Sequence, residues 1–302
     1  MQERLTAMDK RYEEDRFARF KGRQGAERTI HIWEPAQPRA VLLAIHGGMA
    51  HAGDYVTPAL WFKRQGIATV SFDMAGHEKQ RRVDIPDFGI FLDELELFLH
   101  WTRQRYPGLP IFIMGHSMGA LIATRFGLER MARSDEVRGF ILSSPYYVNA
   151  IRVPAVLQAV SGLLARYAPK MKVPLASMTD VLTHDKAITE RHHRDEADGV
   201  RATECTVRFG HALQQAQKGL AQQMPTWRWP LYAVVAGEDK LADAQATLAL
   251  LGTVNPALVE ISHQRGNYHE NFNEVNREAI FADILLWLEP RAAASAAPVS
   301  AA

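Results

Sequence analysis

A serine flanked by two glycines is the residue of this sequence best suited to covalent chemistry. The segment Gly115-His116-Ser117-Met118-Gly119 has the form G-x-S-x-G and stands between an apolar run and a helical pattern. A nucleophile on a sharp strand-to-helix turn needs strained backbone angles, and glycine neighbours allow that turn to close. The following helix directs free N–H groups towards a negative charge that develops on a carbonyl oxygen. The motif predicts Ser117 as the nucleophile of acyl transfer and the Met118 N–H as an oxyanion donor.

A serine hydroxyl is a weak nucleophile, so it needs a histidine as general base and a carboxylate that orients this histidine. In the chain order that accompanies G-x-S-x-G, the acid and then the histidine follow the serine. Of the twelve histidines, only His263 and His269 fall in the C-terminal region where the base belongs. His263 ends a predicted strand, whereas His269 lies in a polar loop before the last predicted helix. We therefore predict His269 as the base.

The acid is expected just past the end of a buried strand, where the sites of α/β proteins assemble. The apolar stretch 231–236 ends in Gly237-Glu238-Asp239-Lys240, which places Asp239 at such a position. Asp239 is the predicted acid, and Glu238 and Asp243 are its neighbouring alternatives.

A second oxyanion donor is predicted in the glycine pair that follows an earlier apolar strand. His46-Gly47-Gly48 ends that strand abruptly, and bare backbone at Gly48 lets a carbonyl oxygen approach closely. A simple glycine turn is the alternative interpretation. The candidates for contacts with a substrate are His46, Gly47, His116 and Tyr146.

The elements that must position these residues alternate between strand and helix. Predicted strands cover 17–20, 29–33, 40–45, 66–72, 111–114, 137–142, 231–236 and 258–261, and predicted helices cover 88–105 and 120–131. Continuous apolar strands suit burial on both faces of a sheet. The alternation predicts an α/β fold with a mostly parallel central sheet flanked by helices.

One segment interrupts this alternation. Residues 148–215 contain no convincing strand, and apolar residues recur there at helical spacing: Val156, Leu157, Val160, Leu163, Leu164 and Tyr167. We interpret this segment, divided by Pro154, Pro169 and Pro174, as a helical cap inserted over the carboxyl edge of the sheet. The predicted organisation is a core over 1–147 and 216–290, the cap over 148–215 and a disordered tail over 291–302, with the first residues a short charged helix or a loose arm.

Composition excludes several classes of protein. The 35 basic and 34 acidic residues give a net charge of +1, too weak a field to attract nucleic acid. A single cysteine, Cys205, excludes an intramolecular disulfide and fits a reducing compartment. The charged N-terminus lacks the apolar run of a signal peptide, and no stretch approaches the ~20 apolar residues of a membrane span. We predict a cytoplasmic protein, and the sequence carries no signal for its oligomeric state.

Together these motifs resemble the monoacylglycerol lipase and lysophospholipase branch of the α/β-hydrolases. The resembling segments are His46-Gly47-Gly48-Met49-Ala50-His51-Ala52-Gly53-Asp54-Tyr55, Tyr106-Pro107-Gly108-Leu109-Pro110 with Gly115-His116-Ser117-Met118-Gly119, Gly237-Glu238-Asp239, and Tyr268-His269-Glu270 with Phe272-Asn273-Glu274. The resemblance implies the α/β-hydrolase fold, the triad Ser117, Asp239 and His269, and the oxyanion donors Gly48 and Met118. It also implies ester hydrolysis through an acyl-enzyme, without metal or cofactor.

Two departures from that family concern the substrate. The family's H-G-x-x-x-H-x-x-R-Y segment has arginine where this chain has Asp54. After Asp73-Met74-Ala75-Gly76-His77 the family continues with small residues and a serine, whereas this chain has Glu78-Lys79-Gln80-Arg81-Arg82. Lipid monoesters are the expected substrates, and the alternatives are a short-chain carboxylesterase, a thioesterase or a lactonase. A peptidase that binds an α-amino group is disfavoured because the cap shows no acidic cluster, and a catalytically silent binding protein is the alternative outside enzymes.

Two features of the cap concern binding partners, namely a lipid surface and a metal ion. Its apolar stripe lies near Arg152, Arg166, Lys170 and Lys172, a combination that could rest on a membrane or micelle surface, or the stripe could simply pack on the sheet. The adjacent His192 and His193 suggest metal, but without a plausible set of further ligands they are interpreted as a solvated surface.

Overall fold

A computed structural model describes residues 11–78, 82–131, 137–151, 155–173 and 178–293. The strands in these ranges are β1 (Arg16–Lys21), β2 (Glu27–Trp33), β3 (Ala40–Ile45), β4 (Ile67–Phe72), β5 (Arg82–Val83), β6 (Ile111–His116), β7 (Gly139–Ser143), β8 (Lys172–Val173), β9 (Glu204–Thr206), β10 (Leu231–Ala236) and β11 (Val259–Gln264). The α-helices are α1 (Val56–Arg64), α2 (Gly89–Arg105), α3 (Met118–Glu129), α4 (Ala155–Tyr167), α5 (Lys186–Ala197), α6 (Val207–Gln217), α7 (Leu220–Gln223), α8 (Ala244–Leu251) and α9 (Arg277–Ala293).

Eight strands form the central sheet, in the order β1-β2-β4-β3-β6-β7-β10-β11. The six strands from β4 to β11 in this order are mutually parallel, whereas β2 is antiparallel to both of its neighbours. The apolar runs read from the sequence are therefore interior strands, because helices on both faces exclude water from parallel strands. The predicted α/β-hydrolase architecture, a mostly parallel sheet flanked by helices, is confirmed.

Strand β3 shows how the core divides between the two faces of the sheet. All six of its residues are inaccessible to solvent. Val41, Leu43 and Ile45 join the cluster that includes side chains of α2 and α3, while Leu42 and Ala44 join the cluster that includes those of α1 and α9. Successive side chains point to opposite faces of a strand, so a continuous apolar run supplies both layers. Each fully buried leucine or isoleucine contributes about 1.5–3 kcal/mol to folding.

The parallel strands deliver the candidate site residues to one edge of the sheet. The chain leaves β3 at His46, β6 at Ser117, β7 at Ser144 and β10 at Gly237. All four positions follow the carboxyl ends of neighbouring strands, so segments far apart in sequence meet there.

The described part of the segment 148–215 contains α4, α5, most of α6 and two strands, β8 and β9, of a small sheet that the sequence pattern does not predict. Strand β9 pairs with β8 in antiparallel fashion and with β5 in parallel fashion, which ties this segment to the chain after β4. Strands of two or three residues are too short to show alternation, and their partners are distant in sequence. This sheet therefore leaves no periodic signal.

Some predicted features fall on residues that the structure does not describe. The expected N-terminal helix or arm up to Lys10, and residues 294–302 of the expected tail, lie outside the described residues, as do Arg152, Pro154 and Pro174. Residues 291–293 continue α9.

Candidate active site

Ser117 occupies a sharp turn between β6 and α3. Its backbone has φ 53° and ψ −117°, a combination that a side chain with a Cβ adopts only under strain. The turn is held by its surroundings, because the Ser117 N–H donates to Ser143 O at 2.9 Å and Ser117 O accepts from Tyr146 N at 3.2 Å. The strand–turn–helix predicted around G-x-S-x-G is present, and it carries the Ser117 side chain to the sheet's carboxyl edge.

The two glycines of this motif are sterically required. A Cβ at Gly115 would lie 2.6 Å from Gly119 O, and a Cβ at Gly119 would lie 2.0 Å from Ile45 O. Both obstructing atoms belong to backbone, which cannot rotate away as a flexible side chain would. The turn closes against β3 only because position 119 has no side chain.

We predict that Gly119→Ala destabilises the protein by about 3 kcal/mol or more, because overpacking against backbone forces the turn away from β3. The measurement is the free energy of unfolding in denaturant. Gly210→Ala is the matched control, since a Cβ at this position of α6 meets nothing within 4 Å. Equal stability of the two variants would contradict the steric requirement at Gly119.

The acid and the histidine form a buried hydrogen-bonded pair. His269 Nδ1 lies 2.7 Å from Asp239 Oδ2, and each side chain is only 2% exposed. Asp239 Oδ1 accepts hydrogen bonds from Leu241 N at 2.8 Å and Ala242 N at 3.0 Å. Burial acts to raise the pKa of Asp239, but His269 and the two backbone donors outweigh it and lower that pKa. An ionised Asp239 orients the imidazole with Nδ1–H towards it.

The other ring nitrogen of His269 is available for proton transfer. Nε2 is buried, and no described residue forms a hydrogen bond with it. Because Nδ1 carries the proton shared with Asp239, Nε2 presents a lone pair, as a general base must. The carbonyl of His269 accepts a 2.6 Å hydrogen bond from Ser144 Oγ, which fixes the backbone beside the ring.

The alternative acids and the alternative histidine are either engaged in another contact or exposed to solvent. Asp243 caps the N-terminus of α8 by accepting from Ala246 N at 2.9 Å, and Glu238 is exposed to solvent. His263 lies within β11, where it is also exposed. The pair that the structure brings together is therefore Asp239 with His269.

Ser117 and His269 border the same cavity. The ring of His116, the residue before Ser117, has its centroid 4.9 Å from that of His269. His116 Nδ1 lies 3.2 Å from Ser143 Oγ, and burial, followed by the neighbouring His269, lowers the pKa of His116 to about 3. The ring beside His269 is therefore neutral.

Gly48 and Met118, the residues predicted to supply the oxyanion donors, are neighbours: Gly48 lies beside the Met118 side chain. Met118 is the first residue of α3, where N–H groups have no carbonyl partner within the helix. A Cβ at Gly48 would lie 3.6 Å from Met118 Sδ, and one at Gly47 would lie 3.4 Å from Ser117 Cβ. Both glycines therefore border the serine turn. The space at Gly48 has room for an alanine, so close packing does not by itself require glycine there.

The candidates for substrate contact all border the cavity: His46, Gly47, His116 and Tyr146. His46 is bound to backbone at both nitrogens, since Nδ1 lies 2.8 Å from Gly47 O and Nε2 accepts from Met74 N at 3.2 Å. Burial lowers the pKa of His46 to about 4, which keeps the ring neutral. Its hydrogen bonds hold the glycine turn in place. Burial raises the pKa of Tyr146 to about 12, so its hydroxyl stays protonated.

The cavity has a volume of about 1190 Å³ and extends from the serine turn beneath the segment 148–215. Most of its apolar lining comes from that segment, including the part of α6 that lies in it: Leu164, Met171, Val173, Phe209 and Leu213. Such a space is at the upper end of the range for small-molecule sites. It suits a long apolar group attached to the reacting carbonyl.

Three carboxylates also border the cavity, and all of them have partners. Asp54 and Glu270 both pair with the guanidinium of Arg201, and Glu196 accepts a hydrogen bond from Thr179. Arg201 is the residue near the site that sequence reasoning missed. The signal that could have found it is Asp54 itself, because an acid in place of the family's arginine requires a cation from elsewhere.

The two adjacent histidines of α5 contact carboxylates. The interpretation as a solvated surface is wrong for His192, which is buried against Glu270, whereas His193 lies on the surface beside Asp180. In the described ranges, ligand atoms of His51, Asp54 and Asp195 lie within 4.8 Å of one another, as a metal site would require. The two acids are, however, already paired with Arg201 and Arg11, so these residues do not fit a cation.

Comparison with known proteins identifies the family of this chain. The family described as "Serine aminopeptidase, S33" matches residues 36–276. Phospholipase YtpA of Bacillus subtilis is 29% identical over 252 residues, covering 82% of this chain and 95% of the relative. Monoacylglycerol lipase of Mycolicibacterium smegmatis is 26% identical over 273 residues, covering 89% of this chain and 95% of the relative.

Solved structures share the fold. The monoacylglycerol lipase of Paleococcus ferrophilus superposes with a TM-score of 0.76 at 18% identity, covering 88% of this chain and all of that one. A soluble variant of monoglyceride lipase from Saccharomyces cerevisiae, in complex with a substrate analog, gives 0.77 at 19% identity over 92% of this chain and 96% of that one. The chain therefore belongs to the serine aminopeptidase, S33, family, in the monoacylglycerol lipase-like branch of the α/β-hydrolases.

Proposed function

We propose that this serine ester hydrolase cleaves lipid monoesters, with monoacylglycerols or lysophospholipids as substrates, through an acyl-enzyme formed on Ser117. The observation that carries the proposal is the hydrogen bond of 2.7 Å between His269 and Asp239, buried beside the cavity that Ser117 borders. A strained serine turn, a histidine with one free nitrogen and an apolar cavity are together what acyl transfer from a long-chain ester needs.

In the first half of the reaction Ser117 Oγ attacks the ester carbonyl carbon while its proton passes to His269 Nε2. The electron pair of the carbonyl moves to oxygen, and the N–H groups of Gly48 and Met118 stabilise the resulting anion. When that pair returns, the bond to the alcohol oxygen breaks and the proton on Nε2 passes to the leaving alcohol. The acyl group remains on Ser117.

In the second half water takes the place of the alcohol. His269 Nε2 accepts a proton from water as its oxygen attacks the acyl carbon, and the same donors stabilise the anion. Collapse breaks the bond to Ser117 Oγ, which recovers the proton from His269, and the acid is released. Throughout, the negative charge of Asp239 stabilises the imidazolium that forms in each half-reaction.

The size and apolar lining of the cavity favour a long acyl chain over a short one. Its volume of about 1190 Å³ and its apolar lining beneath the segment 148–215 offer contacts that an acetyl group could not use. The relatives named monoacylglycerol lipase and phospholipase are consistent with such a substrate. Each buried methylene adds about 0.8 kcal/mol of favourable transfer free energy.

The same cavity argues against a peptidase that recognises a free α-amino group. Such a substrate needs an uncommitted carboxylate, whereas Asp54 and Glu270 are both already paired with Arg201. The remaining acid in the lining, Glu196, is occupied by Thr179 and lies 3.6 Å from His193. Ester cleavage is therefore favoured over aminopeptidase activity.

A hydrolysis panel tests the substrate class. It compares p-nitrophenyl acetate and butyrate with long-chain monoacylglycerols and lysophosphatidylcholine under matched conditions. We expect kcat/KM to increase with acyl length among the monoesters. Turnover of short esters alone would overturn the lipid proposal and leave the alternative, a general carboxylesterase.

We predict that Leu213→Trp, which fills part of the cavity, lowers kcat/KM for long-chain monoacylglycerols by roughly 10-fold, because a blocked pocket loses the contacts of several methylenes. Activity on p-nitrophenyl acetate should stay within about twofold. Leu97→Trp is the control, since Leu97 is exposed on α2 and does not border the cavity. An equal loss on both substrates would argue against Leu213 as part of the acyl site.

We also propose that the segment 148–215 contacts a lipid surface from which substrate enters. Five apolar side chains in the described part of this segment are exposed: Val148, Ile151, Leu163, Tyr167 and Met171. Arg166, Lys170 and Lys172 lie near them in sequence and are exposed as well, a combination that suits an anionic interface. None of the described helices has the length and apolar character needed to cross a membrane. We propose the cytoplasmic side for this contact, in line with the single cysteine.

A further inference from the structure

A buried group of charged side chains joins the helix α5 region to the loop that carries His269. Arg201, in the loop after α5, donates from Nη1 to Asp54 Oδ2 at 2.7 Å and from Nη2 to Glu270 Oε1 at 3.2 Å. His192 Nε2 lies 2.8 Å from Glu270 Oε2. The four side chains are at most 11% exposed. They come from three segments that are distant in sequence.

The guanidinium of Arg201 is the permanent cation between two carboxylates in this group. A buried carboxylate without a partner costs several kcal/mol, so neither acid tolerates the loss of that charge easily. Burial acts to raise the pKa of Glu270, but His192 and Arg201 outweigh it and hold that pKa well below its usual value. For Asp54 the charges of His51 and Arg201 likewise outweigh burial and lower the pKa. Both acids are therefore ionised.

Glu270 transmits this arrangement to the catalytic histidine because the two residues share a peptide bond. The Glu270 N–H donates to Leu182 O at 2.8 Å, and its side chain also accepts from Asn273 Nδ2 at 2.8 Å. With the Glu270 carboxylate fixed by Arg201, the backbone that carries His269 has little freedom to rotate. The charge reaches further, since Arg201 contributes to lowering the pKa of His116, whose ring contacts His269.

We propose that Arg201 is a positioning residue that holds Glu270, and through it His269. The proposal rests on the proposed function, because it takes His269 as the general base. The charged and titratable groups that face Arg201 are Asp54, His192, Glu196 and Glu270.

The test measures kcat, KM and the pH profile of kcat/KM for Arg201→Gln. We expect kcat to fall by roughly 10- to 100-fold with KM within about threefold, since a shifted base slows chemistry more than binding. The acidic limb should move to higher pH, because two uncompensated carboxylates stabilise the protonated imidazole. Arg208→Gln is the control: Arg208 also lies over the cavity, but its partner is Asp84, and neither limb nor kcat should change.

Two further variants make the charge argument specific. Asp54→Arg combined with Arg201→Gln supplies the cation from position 54 instead, and we expect it to recover kcat and the position of the acidic limb. Glu270→Gln removes an anion instead, so the acidic limb of its kcat/KM profile should move to lower pH. This variant tests the charge argument even if Arg201→Gln does not fold. A folded Arg201→Gln with unchanged kcat and limb, or limbs that move in the same direction in Arg201→Gln and Glu270→Gln, would overturn the proposal.

The same assays separate this proposal from the proposed function. Ser117→Ala is measured in parallel: activity that persists in it would remove the acyl-enzyme mechanism, whatever Arg201 does. An inactive Ser117→Ala together with an Arg201→Gln enzyme of normal kcat and pH profile would leave the mechanism in place and remove the role of Arg201.

Discussion

Replacing Ser117 by alanine is expected to reduce ester turnover by roughly 10⁴- to 10⁶-fold, because the covalent route is lost and only binding and oxyanion stabilisation remain. KM should change little, since the lost oxygen attacks the carbonyl and contributes little to ground-state binding. The fold should be retained: the turn is held by backbone hydrogen bonds to Ser143 and Tyr146, and alanine keeps them. The measurements are steady-state kinetics and covalent labelling by a fluorophosphonate.

Labelling separates an enzyme from a catalytically silent binding protein of the same fold. The native protein should be labelled at one site, and Ser117→Ala should not be labelled at all. Ser262→Ala, on strand β11, is the control and should behave as the native protein. If the native protein resists the reagent, or if the alanine variant retains turnover, Ser117 is not the nucleophile.

The local parts of the site are those that the sequence predicts well. G-x-S-x-G specifies its own geometry, because the close approach of Gly119 to Ile45 O leaves glycine as the residue that fits. The apolar runs that become β3 and β10 are also unambiguous, since strands buried on both faces show no polar alternation. Asp239 and His269 follow from these elements, because each stands in the loop after a strand that the pattern identifies.

What the sequence could not predict depends on contacts between distant segments. The small sheet of β5, β8 and β9 consists of strands of two or three residues, too short for any periodicity. Helix α1 contains Pro58 and mixes apolar with polar side chains. Its sequence therefore gives no clear helical pattern, and no prediction covers it. Arg201, the partner of Asp54, lies 147 positions further along the chain, so this ion pair becomes visible only when the chain is folded.

Replacing Asp239 by asparagine should cost roughly 10⁴-fold in kcat while leaving the protein folded. The asparagine oxygen can still accept from Leu241 and Ala242, so the turn after β10 is maintained. Its amide group, however, would donate to His269 Nδ1, which forces the proton of the neutral ring onto Nε2. The nitrogen that should receive the serine proton would then carry one already. Steady-state kinetics across pH measure the effect.

The matched control for that change is Asp243→Asn, four residues further on. Asp243 caps α8 through Ala246 N, and asparagine caps a helix about as well, so both stability and kcat should stay close to native values. Raising the pH should not restore Asp239→Asn, because the defect is the position of a proton on a neutral ring rather than its ionisation. A variant with near-native kcat would show that the carboxylate at 239 does not orient His269. Equal losses at 239 and 243 would instead indicate a general effect of acid removal on this edge of the sheet.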